Sequence, residues 1–382
     1  MPAPSTPRRT PAMPETRFGE LVLRRWPRQR GDTLQAFDGA DHYLLRLLEQ
    51  EGQGPATLVV NDQCGALWLG AGQRGPTWSA GDDWVARRAA LANGEDNQRP
   101  LDTAHWLWPW RTPPESPDQV LLRLPKSLSL LEAQLAWLAE WLPAGTPVLA
   151  AGMDKHLPAQ LVPLMSRYLG ETKAGLGWKK ARVFRATAPG EALAPVPEPV
   201  SLSLPGRDWT LSAGPGVFGR RHLDIGARFL LGHLPSGVTG RVADLGCGNG
   251  VLGLSLAADN PEARVTFCDV SWLAVDSARH NAEALFGADH GHEFHLGHGL
   301  DGVDQPFDQV LLNPPFHRGH AVDDRVARTL FRHAHRHLRP GGELRVVANR
   351  HLPYWRPLAK LFGQAEVLAE NEKFRIYRCV NG

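Results

Sequence analysis

The apolar positions in the second half of the chain fall in short continuous runs separated by longer amphipathic stretches. This alternation is expected of a sheet buried on both faces and covered by helices. The pattern predicts strands at 241–244, 265–269, 293–296, 309–312 and 343–348, and helices at 251–258, 272–285, 324–338 and 354–362. Gly341 and Gly342 mark the end of the helix before the fifth strand. Two further strand-like runs, 365–368 and 374–379, read as a hairpin adding antiparallel strands at the sheet edge. The first half alternates in the same way, with strands expected at 56–60, 119–122, 147–150 and 182–185 and an amphipathic helix at 129–141. The chain is therefore an α/β protein.

Two short segments of the first half recur in the second. Asp118-Gln-Val-Leu-Leu-Arg-Leu-Pro125 mirrors Asp308-Gln-Val-Leu-Leu-Asn-Pro-Pro315, and Asn61-Asp-Gln-Cys-Gly65 mirrors Asp244-Leu-Gly-Cys-Gly248. In this pairing Arg123 stands where the second copy has Asn313, and Gln63 where it has Gly246. A duplicated fold with a degenerate first copy follows, against the alternative of chance likeness between short strands. Residues 188–199 carry four prolines and read as a stiff, extended connector. The expected organisation is a disordered tail at 1–16, a first domain at 17–187, a linker at 188–200 and a second domain at 201–382.

Composition narrows the picture further. With 382 residues, 42% of them hydrophobic, there is material for two cores. The net charge of +2 provides no global basic field, so any nucleic-acid contact must come from local patches. Cys64, Cys247, Cys268 and Cys379 show no Cys-x-x-Cys spacing, which excludes a disulfide framework or cysteine-rich metal site and suits a reducing compartment. The opening residues lack the apolar centre of a signal peptide, and no later run is long enough for a membrane span, so a cytoplasmic protein is expected.

Two loops carry the candidate chemistry. Val242-Ala-Asp-Leu-Gly-Cys-Gly-Asn-Gly250 puts a carboxylate near a strand end and then glycines at alternate positions before a helix, a nucleotide-binding arrangement. No Gly-Lys-Ser/Thr follows, so a phosphate cradle is disfavoured. Asp269, at the end of the next strand, can accept from a ribose diol, which fits either S-adenosylmethionine or NAD. Asp308-Gln-Val-Leu-Leu-Asn-Pro-Pro-Phe316 runs a buried strand into a rigid turn. Asn313 offers an amide oxygen, Pro314 a carbonyl held by the two proline rings, and Phe316 a flat apolar face. Such a turn can also simply end a strand, but beside the glycine loop it suits the grip of a planar heterocycle carrying an NH2 group. Hydride transfer has no use for that grip, and methyl transfer does.

These motifs, together with Val347-Ala-Asn-Arg-His-Leu352, resemble the bacterial ribosomal RNA guanine-N2 methyltransferases, the large-subunit branch more than the small-subunit one. The resemblance implies tandem duplicated class I, Rossmann-like, seven-stranded domains, of which the first is degenerate. It implies transfer of a methyl group from S-adenosyl-L-methionine to N2 of a guanine in 23S rRNA, the family's target being guanine 1835. Methylation of 16S rRNA, or a non-catalytic RNA-binding assembly factor, are the alternatives. Residue by residue, Asp244, Gly246, Cys247, Gly248, Asp269, Asn313 and the backbone near Gly299 would line the cofactor. Phe218, in the segment Val217-Phe-Gly-Arg220, would close over it, although Gly219 stands where the family's serine is expected. Asn313 and Pro314 would hold the guanine amine and Phe316 would stack on the base.

RNA contact is expected from Lys179, Lys180 and Arg182, beside Trp178, and from His317 after the catalytic loop. The tryptophans at 68, 78, 84, 106, 108 and 110 fit either core packing or base stacking. His333 and His337 have the spacing of a helical metal pair, but no third ligand is evident and no metal is expected. DNA and membrane partners are not expected, and a monomer is.

Overall fold

The computed structural model describes residues 17–29, 32, 34–315 and 321–382; the expected tail at 1–16, Phe316 and His317 lie outside them. The chain divides into two compact units, one running to Gly81 and resuming over Val85–Pro197, the other comprising Asp82–Trp84 and Glu198–Gly382.

In the first unit the strands of the large sheet are β1 Thr57–Val60, β2 Thr77–Ala80, β3 Trp106–Leu107, β4 Gln119–Arg123, β5 Pro147–Met153, β6 Lys173–Trp178 and β7 Ala181–Thr187. Its helices are α1 Gly39–Glu51, α2 Ala66–Ala71, α3 Trp84–Asp96, α4 Leu128–Trp141 and α5 Leu161–Leu169. The sheet order is β3-β2-β1-β4-β5-β7-β6, parallel except where β7 pairs with β5 and β6. Trp68, Trp78 and Trp106 are buried in this unit, so packing accounts for them.

The second unit repeats the plan. Its strands are β8 Arg241–Leu245, β9 Arg264–Asp269, β10 Glu293–Leu296, β11 Phe307–Leu312, β12 Leu338–Asn349, β13 Glu366–Glu370 and β14 Phe374–Val380. They are ordered β10-β9-β8-β11-β12-β14-β13, again with β14 antiparallel to both neighbours. Its helices are α6 Ile225–Leu231, α7 Val251–Asp259, α8 Trp272–Phe286, α9 Ala321–His337 and α10 Trp355–Phe362. Successive residues of a central strand face opposite cores. Val242 and Leu311 pack on one side of the sheet with Val265 and Phe267, while Ala243, Val310 and Leu312 pack on the other with Phe331. That two-sided burial is why the strands read as unbroken apolar runs.

Some elements differ from expectation. A separate hairpin, Val200–Ser203 with Thr210–Ala213, precedes α6 and is absent from the predicted elements, because each arm has only 4 residues and its side chains are largely small. The proline-rich connector is less detached than its composition implies: Ala188 is buried in the first unit's core and Ala194 packs against that core. Among the described residues, no helix is long and apolar enough to cross a membrane.

Candidate active site

β8 ends at Leu245, and the chain turns through Gly246 (φ 77°), Gly248 (φ 55°) and Gly250 (φ 86°), all left-handed. The N–H groups of Gly246 and Cys247 both donate to the Cys268 carbonyl, at 2.8 and 3.0 Å, and that of Gly248 donates to Asp269 Oδ2 at 3.0 Å. Three successive donors are thus engaged within the protein, which leaves this stretch without the free N–H groups a phosphate needs. It offers open space instead. Among the described residues, a Cβ on Gly246 would meet nothing within 4 Å, and one on Gly248 only the Phe218 carbonyl at 3.8 Å.

Asp269 also accepts from Ser271 N–H at 3.0 Å, so its carboxylate is fixed on the rim of the loop. Burial raises its pKa against those backbone bonds. Asp244 lies beneath the loop, 1% exposed, and accepts from Gly253 N–H at 2.8 Å, supplying the cap that Gly250 cannot provide to α7. Burial pushes its carboxyl up to about 7, opposed by the Gly253 bond and helped by the nearby charge of Asp269. Asp244 therefore shapes the loop from below, whereas Asp269 presents its oxygens at the rim. The Cys247 thiol is buried and pushed well up, a packing group rather than a nucleophile.

Ser271 caps α8, and Asp82, which belongs to this unit, accepts from Ser271 Oγ and Leu273 N–H, both at 2.7 Å. Sequence reasoning overlooked Asp82, since it lies 189 residues from its partner. On the far side, Gly299 (φ 63°) follows β10, and a Cβ there would lie 2.7 Å from His333 Nδ1. His333 accepts from Leu300 N–H at 3.0 Å and holds that turn; burial pushes its pKa down to about 4. Ligand atoms of His298, Asp301 and His333 lie within 4.8 Å of one another, but Nδ1 of His333 is already engaged by Leu300. Phe218 is 62% exposed.

Asn313 follows Leu312, which pairs with Leu245 on one side and Val346 on the other, so it sits at the carboxyl edge next to the glycine loop. Its Nδ2 donates to Asp224 Oδ2 at 3.1 Å, and its Oδ1 is buried with no hydrogen-bond partner among the described residues. Pro314 is buried and Pro315 exposed. A buried acceptor without a donor is costly unless a ligand supplies one.

The same positions are filled in the first unit. Strand pairing sets Val60 beside Leu122 as it sets Leu245 beside Leu312, so Arg123 does occupy the place of Asn313. The glycine loops, however, align two residues away from the sequence match. Gly65, left-handed at the start of α2, corresponds to Gly250 at the start of α7, and Asn61 rather than Gln63 stands at Gly246. The shared Cys-Gly pair is therefore not a structural equivalence, because the first strand of each unit ends at a different distance from it. Asn61 exchanges hydrogen bonds with Gln134 and donates to the Arg123 carbonyl. Arg123 is bound by Asp38 at 2.9 Å and by Asp41 at 2.5 Å. Burial would lower the guanidinium's pKa, but these two carboxylates raise it and keep it charged.

Lys179 and Lys180 form the two-residue turn between β6 and β7, both left-handed at φ 49° and 60°. Trp178 beside them lies under Arg46 and Lys179, at 4.9 and 5.0 Å from its ring centre. Arg182 pairs with Asp154 at 3.1 Å, so its charge is shared within the protein.

The strand order, the glycine loop after the first strand and the open amide after the fourth define a Rossmann-like methyltransferase, with a second, divergent copy of that fold in the first half. The profile of the "Methyltransferase small domain" matches residues 208–378, and that of the "RLMG N-terminal domain" matches residues 12–190. The chain is 53% identical over 376 residues to the ribosomal RNA large subunit methyltransferase G of Alcanivorax borkumensis, covering 95% of both. It belongs to that family. A T. Thermophilus 16S rRNA N2 methyltransferase, solved in complex with AdoMet and guanosine, superposes with a TM-score of 0.76 at 25% identity over 95% of each chain.

Proposed function

We propose that the second unit transfers a methyl group from S-adenosyl-L-methionine to the exocyclic N2 of a guanine in 23S rRNA, at guanine 1835 as in the family. The observation that carries this reading is the buried Asn313 Oδ1, which has no partner among the described residues, at the sheet edge beside the open glycine loop. A guanine NH2 group provides the N–H donors that this oxygen lacks.

The loop suits the cofactor. Its N–H groups are occupied, which disfavours a pyrophosphate, while the open faces of Gly246 and Gly248 allow close approach and Asp269 can accept from ribose hydroxyls. Asp244 and Cys247 support the loop from beneath, Gly299 borders the adenine side and Phe218 covers the mouth. When bound, the cofactor supplies a methyl group activated by a sulfonium. The chain's own part is positioning: Asn313 Oδ1 and the Pro314 carbonyl accept both N–H groups of the amine, which points the nitrogen lone pair at the methyl carbon. The proton leaves to solvent after transfer. The base must be unpaired or extruded to enter, and Phe316 is assigned to stack on it.

The large subunit is preferred because the relative that is 53% identical is named for it, whereas the 16S enzyme shares 25%. The first unit, with its own crevice filled, serves as an RNA platform through Lys179, Lys180 and Arg182, with His317 assigned to RNA from the second. The test is to incubate the protein with methyl-labelled S-adenosylmethionine and protein-free 23S and 16S rRNA lacking the modification, then map the label. One guanine N2 in 23S rRNA is expected. Label confined to 16S rRNA, or to adenine, overturns the substrate assignment.

A further inference from the structure

An asparagine amide is nearly symmetric in shape, so its catalytic use depends on which end faces the substrate. A carboxylate oxygen accepts hydrogen bonds and cannot donate them. Asp224 Oδ2, 3.1 Å from Asn313, therefore requires the NH2 end to face it; the reversed amide would set two acceptor oxygens against each other. Asp224 is itself held, because the same oxygen accepts from Ala227 N–H at 2.8 Å as the cap of α6. Space before the amide is kept clear by Gly226, where a Cβ would lie 3.3 Å from Asn313 Oδ1 and 3.0 Å from Asp224 Oδ2. The first unit shows the same link in another form: Asp38, the cap of α1, binds Arg123.

We infer that Asp224 is a positioning residue that locks Asn313 with its oxygen toward the acceptor amine and so selects an N–H donor as the methyl acceptor. This rests on the proposed amine-gripping role of Asn313. Asp224→Ser separates orientation from helix capping, because serine caps a helix about as well as aspartate, yet its hydroxyl can donate to the Asn313 oxygen as readily as it accepts from the NH2 end. The single-turnover rate on protein-free rRNA should fall about 10- to 100-fold, with S-adenosylmethionine affinity within about twofold of wild type. The decisive measurement is a double-mutant cycle. If Asp224 acts through the amide, Asp224→Ser in an Asn313→Ala background should change the rate by less than about twofold. An additive loss, or a wild-type rate in the single variant, overturns the inference. Should the label map to another planar amine, the guanine assignment falls while the cycle on that acceptor still decides the coupling.

Discussion

At the carboxyl end of β1 the side chain of Asn61 turns into the crevice and pairs with Gln134, whereas at the carboxyl end of β8 Gly246 leaves the same direction empty. One strand away, a guanidinium clamped by two carboxylates stands where the second unit holds an amide oxygen with no partner among the described residues. Both sheets share one strand order, so the fold does not decide which crevice is a site. Satisfaction of polar groups sets the two apart: the first unit answers Asn61 and Arg123 from its own side chains, and the second leaves the Asn313 oxygen without a donor among the described residues.

The largest effect should come from breaking the filled crevice. Arg123→Ala strands Asp38 and Asp41 without their counter-charge, and should destabilise the first unit by roughly 3–5 kcal/mol, the scale of a broken buried ion pair. Urea unfolding followed by tryptophan fluorescence reads it, and a destabilisation below about 1 kcal/mol would mean the cluster does not hold that edge together. Next is the open crevice. Asn313→Ala should slow single-turnover transfer about 100-fold or more while calorimetric affinity for S-adenosylmethionine stays within about twofold; a near-normal rate would remove the contrast between the units. The smallest effect concerns the platform. Neutralising Lys179, Lys180 and Arg182 together should flatten the log–log salt dependence of RNA binding by about 0.7–0.9 for each phosphate no longer neutralised. Because Arg182 is shared with Asp154, the total should be nearer two phosphates than three. An unchanged slope would leave the first unit as a packing partner only.

Much of this contrast is legible in the sequence, and the rest is hidden for identifiable reasons. The strands of the second unit are readable because both faces are buried, and Asn313 stands out because two prolines follow it. Asp224 is not legible there, since its bond to Asn313 spans 89 residues and a capping aspartate looks the same whether or not it has a second task. Asp82 is invisible for the same reason. The repeat is visible but out of register at the glycine loop, where Asp62 accepts from Trp68 N–H as Asp244 accepts from Gly253 N–H. The capping role is retained while the carboxylate has moved from the strand into the loop, a change that string matching cannot follow.

The lysine turn has a consequence for engineering. Two-residue turns with both residues left-handed favour Asn-Gly, and a β-carbon there costs about 1 kcal/mol or more per residue. Lys179 and Lys180 hold that geometry at φ 49° and 60°. A search for thermostable variants scored on melting temperature alone would therefore be drawn to Asn-Gly at this turn. It would gain stability by relieving that strain and erase two charges that the turn carries, so selection for heat resistance should be paired with a measure of RNA retained.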